Sequence, residues 1–231
     1  MATAVVTGAS RGIGNAIAVR LLELGYNVIG ISRDINSDTI EHPNFTPLSC
    51  DLSDESMLIP ILTVLQTDPS ITILCNVAGF GVFEPHEEID ANTISKMVAL
   101  NLNAPMILSN ALLRALKYNQ GVIFNITSIE AMRSSKFSAV YSATKAGLRA
   151  FSHSLFEEVR KSGVNVVSIN PDMTDTSFFD ELRFGTSEEF DARLEADDIA
   201  DAVQNILEMR KGVAVTDITI RPQRFGIIKK R

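Results

Sequence analysis

The chain has 231 residues, 45% of them hydrophobic, and a formal net charge of −7, with a pI near 5.0. That length fits one domain with a sizeable buried core, and the acidic balance argues against wholesale binding to nucleic acid. The composition carries no mark of disorder, the start has no basic leader-like segment, and no apolar run is long enough for a membrane span, so the expectation is a soluble, cytoplasmic protein.

In chain order, the strand-like run ATAVVT (2–7) leads through TGASRGIG (7–14) into a helical pattern over 15–24. Two more strand-like runs follow, YNVIGIS (26–32) and FTPLSC (45–50), and then a helix over 54–66. ITILCN (71–76) precedes a long helix over 90–116; GVIFNIT (121–127) precedes a helix over 139–161. GVNVVSIN (163–170), a helix over 196–209 and the run GVAVTDITI (212–220) complete the series. Strands alternating with helices predict right-handed βαβ crossovers. Runs nearly continuous in Val, Ile and Leu predict strands covered on both faces. The fold class is therefore α/β, a Rossmann-like doubly wound parallel sheet of about seven strands with helices on both faces. With no repeat, linker or low-complexity tract, a single domain over 1–231 is expected.

The stretch DMTDTSFFDELRFGTSEEFDAR (172–193) breaks the rhythm and reads as short helices in a long insertion. It is either a lid over a substrate site or a plain surface excursion. Its Phe178, Phe179, Phe184 and Phe190, with Phe80 and Phe83, either line an apolar pocket or anchor the loop to the core. Cys50 and Cys75 end apolar runs and read as buried small hydrophobes. His42, His86 and His153 are scattered without ligand spacing, so no metal is expected. The basic tail IIKKR reads as a solvated terminus.

Gly8, Gly12 and Gly14 follow a strand and open a helix. Gly8 supplies backbone angles that a β-carbon forbids, Gly12 lets the main chain approach a pyrophosphate, and Gly14 permits close helix–strand contact. The helix N-terminus behind them presents free N–H groups to an anion. The same spacing also serves an ordinary packed turn. Tyr141 and Lys145, four residues apart on a helix, share one face about 6 Å apart along the axis. A phenol has an ordinary pKa of about 10, and a neighbouring ammonium is expected to lower it toward acid–base work. Ser128 ends the strand-like run GVIFNITS, at the carboxyl edge where open α/β sheets bind ligands, and its hydroxyl can polarise a carbonyl oxygen.

TGASRGIG, NVAG at 76–79, Asn101, Ser128, and Tyr141 with Lys145 in YSATK together resemble the short-chain dehydrogenase/reductase family in its classical form. The resemblance runs from the first strand to about residue 171 and weakens beyond it. It implies a carbonyl/alcohol oxidoreductase in which Tyr141 gives or takes the proton, Ser128 holds the substrate oxygen, and Lys145 binds the nicotinamide ribose and tunes Tyr141. Asn101 would position a water in a proton relay, against the alternative of a satisfied helix-interior residue; Asn103 is the substitute if the register differs. The glycine loop implies cofactor contacts at Ser10, Arg11 and Ile13 besides the glycines. Asn76, Ala78 and Gly79 match the family's N-A-G motif, with Val77 where Asn is common. Pro171 matches the usual Pro-Gly site with Asp172 in place of glycine, leaving Thr174 or Thr176 for the nicotinamide carboxamide. Asp51 and Leu52 would meet the adenine.

Many NAD-using relatives end the second strand with an acidic residue for the ribose hydroxyls. Here NVIGISRD puts Arg33 near that point and Asp34 one residue late. Arg11 lies in the glycine turn on the same side. Two guanidiniums suit a 2′-phosphate, so NADP(H) is the expected cofactor. The expected partner is a small carbonyl or alcohol, most simply an uncharged ketone, aldehyde or diketone. A homodimer or homotetramer is implied by the resemblance. Two other readings stand beside this one. The first is a 3-oxoacyl-[acyl-carrier-protein] reductase, with Arg133, Lys136 or Arg149 as a basic patch. The second is a catalytically silent redox sensor, which would have no need of the Ser128, Tyr141 and Lys145 set.

Overall fold

The computed structural model describes residues 1–36 and 38–230. The elements, in order, are β1 (Thr3–Thr7), α1 (Gly12–Glu23), β2 (Asn27–Ser32), β3 (Phe45–Ser49), α2 (Glu55–Leu65) and β4 (Ile71–Asn76). Then come α3 (Ala91–Val98), a π-helical turn (Ala99–Asn103), α4 (Ala104–Asn119), β5 (Val122–Ile126), α5 (Ala139–Val159) and β6 (Asn165–Pro171). A short β7 (Phe184–Thr186), α6 (Ala196–Leu207), β8 (Asp217–Ile220) and β9 (Ile227–Lys229) follow.

Seven strands form one sheet in the order β3-β2-β1-β4-β5-β6-β8, with parallel pairing throughout. Side chains alternate across each strand, so each strand feeds two cores. Ala4, Val6, Ile73, Cys75, Phe124 and Val167 face Ile17 and Leu21 of α1 and Ile199 and Val203 of α6. Val5, Leu74, Ile123 and Val166 face Leu58 of α2, Leu108 and Leu112 of α4, and Phe156 of α5. Burying each such aliphatic side chain contributes about 1.5–3 kcal/mol, and this two-sided burial fixes the register.

The structure differs locally from the sequence expectation in four places. Helix α1 starts at Gly12, inside the glycine stretch, and Arg11 at its N-cap makes no side-chain capping bond. The long helix is continuous from 91 to 119 but takes a π turn at Ala99–Asn103. The last strand of the sheet is confined to Asp217–Ile220, which pairs with Ser168–Pro171 of β6, and Gly212 takes φ +85° upstream of it. The insertion holds 3₁₀ turns at Ser177–Phe179 and Phe190–Ala192 and also β7, which pairs antiparallel with β9.

Candidate active site

The sheet order reverses between β1 and β4, and a ligand crevice forms outside the carboxyl ends of strands at such a switch point. A cleft of about 960 Å³ opens there. Thr7 stitches its floor together: its hydroxyl accepts from the amides of Val77 at 2.9 Å and Ala78 at 3.1 Å.

One end of the cleft is the glycine turn, with Gly8, Ser10, Arg11, Gly12, Ile13 and Gly14 on its wall. Gly8 and Gly12 take φ of +68° and +57°, the left-handed region where a β-carbon is strained. A β-carbon on Gly14 would stand 2.2 Å from the Gly8 carbonyl oxygen. Helix α1 has no acidic residue in its first turn and no side-chain cap. Gly12, Ile13 and Gly14 of that turn line the cleft, and no side chain caps their N–H groups, an arrangement that fits a pyrophosphate. Arg33, Asp34, Asp51 and Leu52 line the same end. Among the described residues neither Arg11 nor Arg33 has a salt bridge. Burial pushes the Asp51 carboxyl up, but hydrogen bonds from Ser53 and the charges of Arg33 and Lys96 hold it below its ordinary value.

At the other end, Ser128, Tyr141 and Lys145 meet, all buried and all on the cleft wall. Ser128 Oγ accepts from the amide of Glu130 at 3.1 Å. Lys145 Nζ donates to the carbonyl of Ile126, the end of β5, at 2.9 Å. Its Nζ is 5.8 Å from the centroid of the Tyr141 ring. The expected lowering of the Tyr141 pKa is not what the environment gives. Burial pushes Tyr141 up to about 12; a hydrogen bond with Ser128 pulls against this and the charge of Glu130 adds to it. Burial likewise pushes Lys145 down to about 8. Desolvation disfavours both charged forms, and the cation–phenolate attraction expected from spacing alone does not overcome it.

Ala78, Gly79, Pro171, Thr174 and Thr176 also lie on the wall. Thr176 caps its 3₁₀ turn by accepting from the Phe178 amide at 3.3 Å, and a β-carbon on Gly12 would touch its side chain at 3.2 Å. Thr174 is buried and donates to the Asp172 carbonyl at 3.0 Å. Asp172 is buried against Arg221, Nε to Oδ2 at 3.0 Å.

Asn76 and Asn101 lie behind the wall. Asn76 donates to Asn125 Oδ1 at 2.8 Å within the core. Asn101, on the π turn, is fully buried: its Oδ1 accepts from the Phe80 amide at 3.0 Å, and its Nδ2 donates to the Phe80 carbonyl at 2.8 Å and to Thr144 at 3.2 Å. These bonds answer its hydrogen-bonding capacity with protein groups and hold the loop after Gly79. Asn103, also within the π turn, is the neighbouring alternative.

The insertion leans over the Tyr141 end. Phe83 is 5.1 Å from Tyr141 and 5.2 Å from Phe184, centroid to centroid. Phe178 is 5.8 Å from Tyr141 and 5.2 Å from Phe179. Phe190 points outward at 85% exposure, and Phe80 packs beside Met97 and Val140 without lining the cleft. Arg133 and Lys136 are on the wall, whereas Arg149 is turned away to Asp217 at 2.8 Å.

Sequence reasoning missed Thr7, Glu130 and the tail. Ile227, Lys229 and Lys230 border the cleft while Ile227–Lys230 stay exposed, so the described part of the tail is solvated as expected and also reaches the site; Arg231 lies outside the described residues. The open edge of β7 takes β9 as its partner. The one signal in the sequence was that a short apolar pair precedes the lysines. Among the described residues no helix is long and apolar enough to cross a membrane, and no cluster of three or more metal-ligating side chains occurs.

Comparison with known proteins accords with this geometry. The family model described as short chain dehydrogenase matches residues 2–186. An uncharacterised oxidoreductase of Staphylococcus epidermidis is 34% identical over 225 residues, 95% of this chain and 96% of that protein. Among solved structures, an alcohol dehydrogenase from the archaeon Thermococcus sibiricus, complexed with 5-hydroxy-NADP, superposes with a TM-score of 0.86 at 26% identity, covering 98% of this chain and 99% of that one. A metagenomic short-chain oxidoreductase in complex with NADP gives 0.80 at 30% identity, with 96% of each chain covered. A parallel sheet with its cleft at the switch point, the glycine turn and the Ser128, Tyr141 and Lys145 group thus coincide with a family match over most of the length, and the chain belongs to the short-chain dehydrogenase/reductase family of oxidoreductases.

Proposed function

We propose that the cleft binds NADP(H) and that the chain interconverts a carbonyl and an alcohol, with Tyr141 as general acid and base. The observation that carries this reading is the meeting of Ser128, Tyr141 and Lys145 on one wall of a cleft whose other end is an uncapped helix N-terminus behind Gly8, Gly12 and Gly14. When bound, the nicotinamide supplies or accepts the hydride. The first turn of α1 receives the pyrophosphate, and Ser10 and Ile13 line it. Arg11 and Arg33, without salt bridges among the described residues, suit the 2′-phosphate as forked donors. Asp51 and Leu52 flank the adenine end, Ala78 and Gly79 the middle, and Pro171 with Thr174 or Thr176 the nicotinamide end.

In reduction the Ser128 hydroxyl binds the substrate oxygen, and the Tyr141 phenol gives that oxygen its proton as charge develops there. Because burial favours the neutral phenol, Tyr141 is held in the protonated form that reduction uses. Lys145 anchors to Ile126 and presents its remaining N–H bonds to the ribose. Asn101 acts by fixing the loop after Gly79. The aromatic group of Phe83, Phe178, Phe179 and Phe184 gives the substrate end an apolar wall and suits an uncharged ketone, aldehyde or diketone. The apolar groove between Ile94 and Val98 on one side and Val140 and Ala143 of α5 on the other suits packing against a second copy in a homodimer or homotetramer.

The test is NADPH oxidation against a panel of carbonyl compounds with wild type and Tyr141→Phe. Turnover should fall by roughly 10²–10⁴-fold in the variant while NADPH binding by fluorescence titration persists. Wild type that binds NADPH yet reduces none of the panel would favour a redox sensor instead.

A further inference from the structure

One buried carboxylate takes no part in the proton transfer proposed above. Glu130 lies two residues beyond Ser128 on the cleft wall and is 9% exposed. Its Oε1 accepts from Arg133 Nε at 2.7 Å and from Ser135 Oγ at 3.0 Å. Its Oε2 lies 3.2 Å from the Ser138 hydroxyl and 3.3 Å from the Ser142 hydroxyl; these two are 2.9 Å apart, and Ser138 Oγ is also 2.9 Å from the Ser135 carbonyl. A carboxylate has two acceptor oxygens with about four lone-pair directions, and here each oxygen has two partners. The partners run from Arg133, just past a 3₁₀ turn at Ile129–Ala131, to Ser142 in the first turn of α5, the helix that carries Tyr141 and Lys145.

Residues 132–138 between them form neither helix nor strand. Within that span Phe137 takes φ +64°. A residue with a bulky β-carbon is strained there and keeps that conformation only where its surroundings over-determine it. Phe137 is half exposed and lines the cleft.

We propose that Glu130 is a positioning residue for the substrate wall. By gathering Arg133, Ser135, Ser138 and Ser142 onto one carboxylate, it fixes the 132–138 turn and holds Phe137 at the cleft mouth. The aromatic ring so placed limits the size of the carbonyl compound that reaches Tyr141. The last step rests on the reaction proposed above; the positioning itself does not. Glutamine in this place has a single acceptor oxygen and puts an NH₂ where the carboxylate has its second acceptor, so it cannot hold both sides of the turn as glutamate does.

The chain has no tryptophan and three tyrosines, so Phe137→Trp introduces a lone tryptophan at the mouth, excited selectively at the red edge beyond tyrosine absorption. Acrylamide quenching and steady-state anisotropy are compared in Phe137→Trp alone and combined with Glu130→Gln or Glu130→Ala, with thermal midpoint and NADPH affinity recorded. Loss of the anchor should raise the quenching constant at least about twofold and lower the anisotropy, glutamine less than alanine, as ordered backbone gives way to a mobile loop. In parallel, the ratio of kcat/KM for diacetyl to that for benzil should shift by about fivefold or more toward benzil in Glu130→Ala and in Phe137→Ala. Unchanged quenching and anisotropy in a folded Glu130→Ala protein overturns the proposal. If that protein does not fold, Ser135→Ala combined with Ser142→Ala must produce the same rise, and an unchanged signal there overturns it equally. Altered quenching with neither probe compound reduced upholds the positioning and counts against the reaction.

Discussion

Lys145 Nζ stands 5.8 Å from the centroid of the Tyr141 ring while donating to the Ile126 carbonyl at 2.9 Å, so the main chain of β5 fixes the ammonium beside the phenol. Burial holds its pKa at about 8 against an ordinary 10.5. Between those values the unfolded chain binds more protons than the folded one, so this residue makes stability rise with pH across that window. Urea unfolding should show a gain on the order of 1–3 kcal/mol between pH 8 and pH 10.5 in wild type that Lys145→Met lacks. Parallel pH profiles for the two proteins would show that the ammonium is not desolvated in solution.

Burial also shapes the reaction profile. With Tyr141 pushed up to about 12, the phenol stays protonated through the neutral range. Reduction should hold its rate through neutral pH, whereas alcohol oxidation, which needs the phenolate, should climb as pH rises toward 10. Initial rates in both directions check this. An oxidation rate that levels off near pH 7 would mean that Tyr141 has a much lower pKa in the complex with substrate and cofactor.

Arg11 and Arg33 line the glycine-turn end of the cleft without salt bridges of their own among the described residues, while Asp34 lines it too. Two forked donors near a 2′-phosphate outweigh one displaced carboxylate. NADPH should bind at least about tenfold more tightly than NADH, which is at least about 1.4 kcal/mol. Arg11→Ala combined with Arg33→Ala should erase that difference while leaving NADH nearly untouched. Equal affinity for the two nucleotides in wild type would refute the assignment.

The sheet was legible because its physics is local. Strands buried on both faces read as continuous Val, Ile and Leu, and their alternation with amphipathic helices leaves few topologies. The cleft residues were legible where chemistry restricts the residue type, as at Gly14, Ser128, Tyr141 and Lys145. What depended on side-chain direction was not. Asn76 and Asn101 sit beside the cleft in sequence terms, yet their amides turn into the core and bond to Asn125 and Phe80. Spacing put an ammonium beside Tyr141 correctly but carried no information on burial, which sets the pKa. The pairing of β9 with β7 joins segments some forty residues apart, and three-residue strands leave almost no periodicity to read.

The glycines separate packing from binding. A β-carbon on Gly14 would meet the Gly8 carbonyl oxygen at 2.2 Å and its carbon at 2.6 Å, both backbone. One on Gly12 meets only the Thr176 side chain at 3.2 Å, though at a φ of +57°. Gly14→Ala should therefore lower stability by about 1–3 kcal/mol or more, because main chain must shift. Gly12→Ala should cost less stability and act chiefly on NADPH affinity. Thermal unfolding with and without NADPH distinguishes them; similar losses in both would mean that the clash at Gly14 relaxes easily.

The tail makes the last case. Arg224 grips Asp191 with two hydrogen bonds of 2.6 Å, and the Arg224 amide donates to the Asp191 carbonyl at 2.7 Å. The Lys230 amide donates to the Arg183 carbonyl at 2.8 Å, and its ammonium bonds to the Phe179 carbonyl. These contacts, with the β7–β9 pairing, hold the insertion that carries Phe178, Phe179 and Phe184. Ion pairs on the surface are weak singly, but main-chain bonds and a strand pair add to them here. A chain stopped after Pro222 should change NADPH affinity less than KM, since of the insertion only Thr174 and Thr176 adjoin the proposed cofactor site, while KM for carbonyl substrates rises by about tenfold as the apolar wall loosens. Arg224→Ala should move KM in the same direction by less. A truncated enzyme with unchanged KM and lost NADPH binding would place the tail's effect at the cofactor end and sink this account of it.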